Sequence, residues 1–448
     1  HRIPVSFHHY CRWIVGDQYN LDLYSQLIPS VTGLTFACED LPERRVAPVE
    51  TPDARHTFNR LKHRVFWRMG RRNRLVLAES YFPFMRNVRF YLRERQIPLP
   101  AFPDDPELMV AADPSGRKKL TLSAGTDPFE KILAKLVPDN IPTNYIEGFG
   151  QLRDRTKDLP NLTKAIVASS RLITHDLFKT WAAEQQQRGA AVVDVQHGGQ
   201  YGSGLWNSDE DHERRVATRF CSWGWSDDDQ RIRPTISFKL SQQPLVRPNP
   251  KGKILAALMS LPRYCYFMCS IPMAGQLKGY WQDQIAMAQA LSERVRRMLQ
   301  WRLYMIDYGW RESQRLKDAI PGADVSQGSG PLWRQLKSCR LFIGTYNSTA
   351  YLETLAGNFP TVLFWNPAHW ELRESARFFY DALASNGILH ATPREAAAHI
   401  EKIADDPSAW WSQPGVQRAR ERFCAQFARR SPHWQPEWHR EFHEAAHG

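Results

Sequence analysis

The chain has 448 residues, enough for two or three domains with cores of their own. Its 42% hydrophobic and 12% aromatic content excludes an intrinsically disordered chain. Fifty-nine Lys and Arg against 47 Asp and Glu give a net charge of +12, a surplus suited to the phosphates of a nucleotide or to an anionic membrane surface.

Basic and acidic residues interleave, with only short clusters such as Arg60–Arg74, and no nucleic-acid motif of recognised spacing is present. Nucleic acid is therefore not expected as a partner. Seven cysteines without paired spacing suit a reducing compartment. Cys265 and Cys269 are followed by no second Cys or His pair at zinc spacing, so they read as core thiols. No signal peptide is visible, and the sequence starts at His1 without Met, which leaves a preceding segment open. The most apolar stretch, Ile254–Gly275, is broken by Pro262, Arg263 and Pro272, and reads as a pair of core elements, not a membrane span. The expected location is cytoplasmic, with charge-driven contact at the inner membrane face.

In chain order, Leu75–Ala78 predicts a buried parallel strand, Phe84–Arg95 and Pro128–Leu136 predict helices, and Ala165–Ala168 predicts a second strand. A helix His175–Gln187 and a strand Ala191–Val195 follow. Gln243–Lys253, with three prolines and a glycine, reads as a linker between domains at residues 1–245 and 254–448. Beyond it the pattern predicts a strand Ile254–Met259, a long helix Gln282–Gln300, and strands Arg302–Asp307 and Leu341–Gly344. The helix Thr349–Ala356 ends at Gly357, and Thr361–Trp365 is the next strand, making a right-handed βαβ unit. Glu395–Ala404 and Gln417–Arg429 read as surface helices before the Trp- and His-rich Trp434–His447. The expected architecture is two α/β domains with a cleft between them.

The strand Ala191–Val195 empties into Gln196-His197-Gly198-Gly199-Gln200-Tyr201-Gly202. Glycines after a strand let backbone N–H groups approach a ligand, and His197 adds a proton donor or acceptor at neutral pH. The pattern matches neither the dinucleotide-binding glycine fingerprint nor the P-loop. Asn347-Ser348-Thr349 stands at a strand-to-helix junction, where free N–H groups and the helix dipole favour an anion; an ordinary N-cap is the plain alternative. Glu353, one turn on among Tyr351, Leu352 and Leu355, is costly without a partner, and a ribose diol would satisfy it. Together these residues read as a nucleotide site.

Glu147, in Tyr145-Ile146-Glu147-Gly148-Phe149-Gly150, is either a base or nucleophile with a raised pKa or a loop residue paired with Arg153 or Arg155. The acidic run Asp209-Glu210-Asp211-His212-Glu213 reads as a solvated face or helix start in preference to a metal site. Trp223-Gly224-Trp225 reads as a packed strand end. Arg263 and Arg311, each following a strand end, and Tyr308 beside the latter are candidate binders of an acidic substrate. A nucleophile elbow and a kinase signature set are both missing.

Three segments carry a resemblance: residues 196–202, Phe220-Cys221-Ser222-Trp223-Gly224-Trp225, and Asn347-Ser348-Thr349-Ala350-Tyr351-Leu352-Glu353-Thr354-Leu355. With Asp307-Tyr308-Gly309-Trp310 and Gly387-Ile388-Leu389-His390, they resemble transferases of bacterial surface-polysaccharide loci, from about Leu75 to His399. That family is similar to the retaining β-Kdo transferases of capsule and lipopolysaccharide assembly. The resemblance implies a GT-B-like fold of two Rossmann-type domains, a CMP-linked donor such as CMP-Kdo, no metal or other cofactor, and a glycan or lipid-linked acceptor. It implies a catalytic carboxylate at Glu147, where Glu147-Gly148-Phe149 stands in place of Asp-Gly-Phe and is one methylene longer. It places His197 beside the donor sugar, with Gln196, Gly198 and Gly199 in the same loop, and the nucleotide on Asn347, Ser348, Thr349 and Glu353. Two alternatives remain: transfer of a polyol phosphate from a CDP donor, or a non-catalytic nucleotide-sugar-binding subunit of a glycan export complex.

Overall fold

The computed structural model describes residues 17–34, 65–79, 81–82, 84–106, 108, 110–264 and 268–447. Cys265 and the first part of the 60–74 basic cluster lie outside them. The chain forms two compact units, one of residues 1–194, 264–266 and 442–448, the other of residues 195–263 and 267–441. The proline-bearing segment Gln243–Lys253 falls inside the second unit.

In the first unit, β1 (Leu75–Leu77), β2 (Ala165–Ala168) and β3 (Ala191–Val195) pair in parallel, with Leu75 opposite Ala165 and Ala165 opposite Ala191. Their continuous Val, Ile, Leu and Ala runs are buried, as parallel strands covered on both faces require. The helix Asp176–Gln187 turns Phe178 and Trp181 inward, against Phe102 at 5.1 and 5.4 Å between ring centroids. Trp181 satisfies its buried indole by donating Nε1–H to the Pro160 carbonyl at 2.8 Å.

The second unit holds the parallel pair β4 (Arg219–Ser222) and β5 (Ile232–Pro234). It also holds a sheet of six strands: β6 (Lys253–Ala257), β7 (Leu299–Arg302), β8 (Asp324–Ser326), β9 (Cys339–Gly344), β10 (Thr361–Phe364) and β11 (Leu389–His390). All its ladders are parallel, and the spatial order is β11-β10-β9-β6-β7-β8. The order reverses between β6 and β9, and in such a sheet ligands bind outside the carboxyl ends of the two strands that flank the reversal. The core lies under this point, with Ile254, Leu255, Leu341, Phe342 and Ile343 all at 0% exposure.

Most expected elements are present within a few residues, and Thr349–Ala356 matches its expected range. Two are displaced. The long helix expected over 282–300 is instead Gln276–Ala290, followed by the short Glu293–Arg296 turn. Ser292 separates them, extended at ψ 155° with its hydroxyl accepting from the Val295 N–H, so its capping preference outcompetes helix continuation. The strand expected at 302–307 is Leu299–Arg302, where Leu299 and Trp301 alternate inward, whereas residues 304–307 are exposed. The tail helices Pro393–Ile403 and Pro414–Phe427 each bury one face, including Ile400 and Phe423, and so belong to the core as much as to the surface. Among the described residues, no helix is long and apolar enough to cross a membrane.

Phe342 sits at the centre of β9 with no exposure. Phe342→Ala is expected to cost about 3–5 kcal/mol in denaturant unfolding, whereas Leu245→Ala, at a residue 69% exposed, is expected to change stability by less than about 0.5 kcal/mol.

Candidate functional site

The carboxyl ends of β6 and β9 are tied together by hydroxyls. Thr345, the first residue past β9, donates to the Ala257 carbonyl at 2.8 Å and stands 2.6 Å from the Tyr280 hydroxyl. Tyr280 in turn accepts the Met259 N–H at 3.0 Å. Two residues on, Asn347 is 1% exposed, and its Oδ1 accepts from Tyr351 at 2.9 Å and Tyr380 at 3.1 Å. Asn347 is thus an internal anchor that fixes where the chain turns into the helix Thr349–Ala356.

Ser348 is the N-cap of that helix, yet its side chain makes no capping hydrogen bond. Ser348 thus holds the N-cap position without the side-chain bond of an ordinary cap. Thr349 accepts the Gly199 N–H on Oγ1 at 3.0 Å. Gly199 comes so close that a Cβ there would stand 2.4 Å from the Ser348 carbonyl carbon and 2.6 Å from its oxygen. The glycine therefore admits the neighbouring main chain, in place of the ligand approach expected from the sequence. Gly198 has 3.4 Å of clearance to Thr349 Oγ1. Gly202, at φ +69°, is packed against the Trp225 indole, which a Cβ would strike at 2.3 Å.

Gln196 is 1% exposed and committed to the protein. Its Oε1 accepts from the Trp223 N–H (2.9 Å) and Trp225 Nε1–H (2.8 Å), and its Nε2 donates to the Gly198 carbonyl (2.8 Å). Trp223 and Trp225 are buried, as the strand-end reading expected. His197 remains partly exposed, its Nδ1 3.2 Å from the Tyr201 hydroxyl and 3.5 Å from Glu213 Oε1.

The acidic run is a helix start, as expected, but two of its acids are buried. It begins the helix Ser208–Val216, capped by Asn207 with Asp209, Glu210 and Asp211 in the first turn, as the macrodipole favours. Glu210 and Glu213, one turn apart, are nevertheless at 0% exposure. Glu210 accepts the Gly202 N–H at 2.8 Å and pairs with Arg373 at 2.8 Å and Arg214 at 3.2 Å. Glu213 accepts the Tyr201 hydroxyl at 2.8 Å. Their i, i+3 spacing, read as one helix face, was the available signal. No cluster of three or more metal-ligating side chains occurs among the described residues.

Glu353 is partly buried, and burial raises its carboxyl above the usual range, while Lys239, a Gln243 hydrogen bond and Arg302 pull it back. Lys239, which the sequence did not single out, also donates to the His197 carbonyl at 3.2 Å and so stands between the loop and Glu353. Arg263 and the 308–311 loop come together at the ends of β6 and β7: a Cβ on Gly309 would lie 3.5 Å from Arg263 Cζ. Tyr308 stacks on Tyr304 at 6.2 Å, and Arg311 is exposed in the left-handed region at φ 56°.

Glu147 lies in the first unit, and its partner is neither Arg153, which pairs with Glu184, nor Arg155. Arg117, 1% exposed, grips it with Nε on Oε1 at 2.6 Å and NH2 on Oε2 at 2.8 Å, and the Asp113 N–H adds a third bond at 2.9 Å. Arg117 also binds the Pro138 and Ile141 carbonyls. The Arg117 hydrogen bonds hold the Glu147 carboxyl at about 2, reversing the expected rise.

A family model described as LIC12162 family transferase matches residues 1–442. No curated protein matches the chain. Solved structures similar to it include the trehalose-6-phosphate synthase OtsA, at 10% identity over 69% of this chain and 78% of that one, TM-score 0.37. MurG of Acinetobacter baumannii is similar at 10% identity over 67% and 78%, TM-score 0.37. The spinosyn forosaminyltransferase SpnP is similar at 12% identity over 85% and 96%, TM-score 0.34.

Two outcomes test this geometry. Gly199→Ala is expected to lower stability by about 1–3 kcal/mol, read as a lower Tm, because the loop must retreat from Ser348. Removing the Glu147 clamp with Glu147→Gln is expected to cost about 3 kcal/mol near pH 7, since Arg117 is left buried without its counter-charge. A depressed carboxyl stabilises above its unfolded-state pKa, so in urea titrations the wild-type advantage should hold above pH about 4.5 and vanish as pH falls towards about 2.

Proposed function

Because the chain belongs to the LIC12162 family of transferases, we propose that it is a GT-B-type glycosyltransferase moving a sugar from a nucleotide-activated donor to a surface-glycan or lipid-linked acceptor. The observation that carries the proposal is the uncapped start of the Thr349–Ala356 helix at the sheet's reversal point. Main-chain N–H groups there, with the helix dipole behind them, suit a phosphate. In this reading Ser348 and Thr349 take the donor phosphate and Glu353 takes the ribose hydroxyls. Asn347 and Gln196 support the site from within.

The proposed donor is CMP-linked and its sugar acidic, Kdo or a relative. Support comes from the sequence resemblance and from the exposed Arg263 and Arg311, which suit a sugar carboxylate. His197 is proposed to act beside the transferred sugar. Glu147 is the proposed nucleophile of a retaining, metal-independent reaction: the ionised state that Arg117 enforces is the one a nucleophile needs, and Oε2 keeps one acceptor direction beyond the Arg117 bond. The basic surface suits peripheral contact with an anionic membrane.

A thermal-shift panel of CMP, CDP, UDP and GDP tests the site. CMP is expected to protect most, by about 2.7 kcal/mol at a hundred times its Kd, and the Ser348→Ala, Thr349→Val double variant should lose that protection. Protection by none of the four would overturn the nucleotide site. If CMP-Kdo is then turned over, loss of transfer in Glu147→Gln at a temperature where the variant stays folded supports the nucleophile; full activity removes it. A phosphodiester product from a CDP donor would replace glycosyl transfer by polyol-phosphate transfer.

A further inference from the structure

The helix Phe84–Arg93, in the first unit, sorts its side chains by face. Phe90 and Tyr91 turn inward and are buried. Phe90 meets Phe442 edge-on at 5.6 Å, and the Tyr91 hydroxyl accepts the Leu77 N–H of β1 at 2.8 Å. These contacts fix the helix against the sheet, and so fix what it turns outward. Met85, Arg89 and Leu92 stand at i, i+4 and i+7, in one line along the opposite face, with Phe84 and Arg93 flanking them. All five are exposed. The apolar three are more than half exposed: Phe84 by 72%, Met85 by 58% and Leu92 by 60%. A single exposed apolar side chain is ordinary, but three large ones interleaved with arginines on one short helix mark an interaction surface.

The charge of this face has one sign. The helix contains no acidic residue, and Arg95, just past its end, is exposed. Glu94, between them, is half-buried and lies 3.9 Å from His443 Nδ1. A polynucleotide or an acidic protein would satisfy the arginines and leave Phe84, Met85 and Leu92 in water. Both kinds of side chain are satisfied by a phase that is anionic at its surface and apolar just beneath it. We infer that the outward face of Phe84–Arg93 is the surface by which the protein lies on an anionic lipid bilayer. Phe84, Met85 and Leu92 enter the acyl boundary, and Arg89, Arg93 and Arg95 rest on lipid phosphates. Long arginine stems let the guanidinium stay at headgroup level while the apolar neighbours sink. This rests on the peripheral membrane contact proposed above and gives that contact a place on the molecule. The helix follows the carboxyl end of β1, and carboxyl ends are where open α/β sheets take their ligands. A lipid-linked acceptor in that bilayer would thus meet the strand-end side of the first unit. Leu120 and Leu122 are also exposed, near Lys118 and Lys119, but they lie in an irregular segment that sets no common face.

The test is flotation of the full chain with vesicles of phosphatidylcholine alone, and of phosphatidylcholine with roughly a third phosphatidylglycerol. The wild type is expected to float with the anionic vesicles and to bind the neutral ones at least about tenfold more weakly. Two variants address the helix: Phe84→Ser, Met85→Ser and Leu92→Ser combined, and Arg89→Glu with Arg93→Glu. Each should weaken binding to the anionic vesicles about tenfold or more. Lys118→Glu with Lys119→Glu should change it by less than about threefold. Every substituted side chain is exposed, so each variant should keep the Tm of the wild type closely. Unaltered affinity in either helix variant overturns the inference: a face that needs only its arginines is electrostatic, and a polynucleotide or acidic protein then fits it better. A wild type that floats, with both helix variants floating equally, removes this surface and leaves the membrane contact standing. A wild type that floats with neither vesicle overturns the membrane contact itself, and this surface with it.

Discussion

Gly199 rests its Cα against the main chain of Ser348, with its N–H on Thr349 Oγ1, and the polar groups near the reversal point are arranged around that approach. A Cβ at 199, 2.4 Å from the Ser348 carbonyl carbon, would force the two segments apart by about 1 Å. Without one, the loop that follows β3 and the helix that follows β9 share a main-chain contact. Gln196 braces the loop from behind through two tryptophans, and Lys239 braces it from the side. Two buried acids of the region are tied to the loop. Glu210 closes on Gly202 and two arginines, and Glu213 closes on Tyr201. Buried carboxylates without such partners would cost several kcal/mol each, so this network is a condition of the loop's shape.

The first unit solves a similar problem with a different geometry. Arg117 is almost wholly enclosed, and its guanidinium is satisfied by the Glu147 carboxylate together with helix-end carbonyls at Pro138 and Ile141. A planar fork that meets a carboxylate with Nε and NH2 on one edge and carbonyls with NH1 is a task for arginine that lysine cannot copy. Glu147 is thereby both a structural partner and an oxygen pair held ionised well below the usual carboxylate range, at the start of the helix Phe149–Thr156.

Strands with unbroken β-branched and aliphatic runs were legible in the sequence, because parallel strands buried on both faces leave no polar alternation to confuse the reading. Leu75–Leu77 and Ala165–Ala168 are examples, and Ala191–Val195 is one but for Asp194. The helix Gln276–Ala290 was misplaced because periodicity ran on through Ser292, whose capping hydroxyl only matters once the chain has turned. Of the site, the segments were legible and the roles of single residues were not. His197, Ser348 and Glu353 were singled out from strand-end and helix-start chemistry. Asn347 and Gln196 looked equally polar, yet their amides face inward, and only tertiary packing decides which way a polar side chain turns. Lys239 and Arg117 were invisible for the same reason: their partners are 42 and 30 residues away.

The hydroxyls at the strand ends run in one direction: the Met259 N–H gives to Tyr280, Tyr280 gives to Thr345, and Thr345 gives to the Ala257 carbonyl. Each hydroxyl has a single proton, so once the last link is set every rotor upstream is set with it. The end of β9 is therefore ordered before anything arrives. This hydroxyl floor has no torsional freedom left to surrender, whereas the facing residues 196–204 hold Gln200 and Gly202 at positive φ.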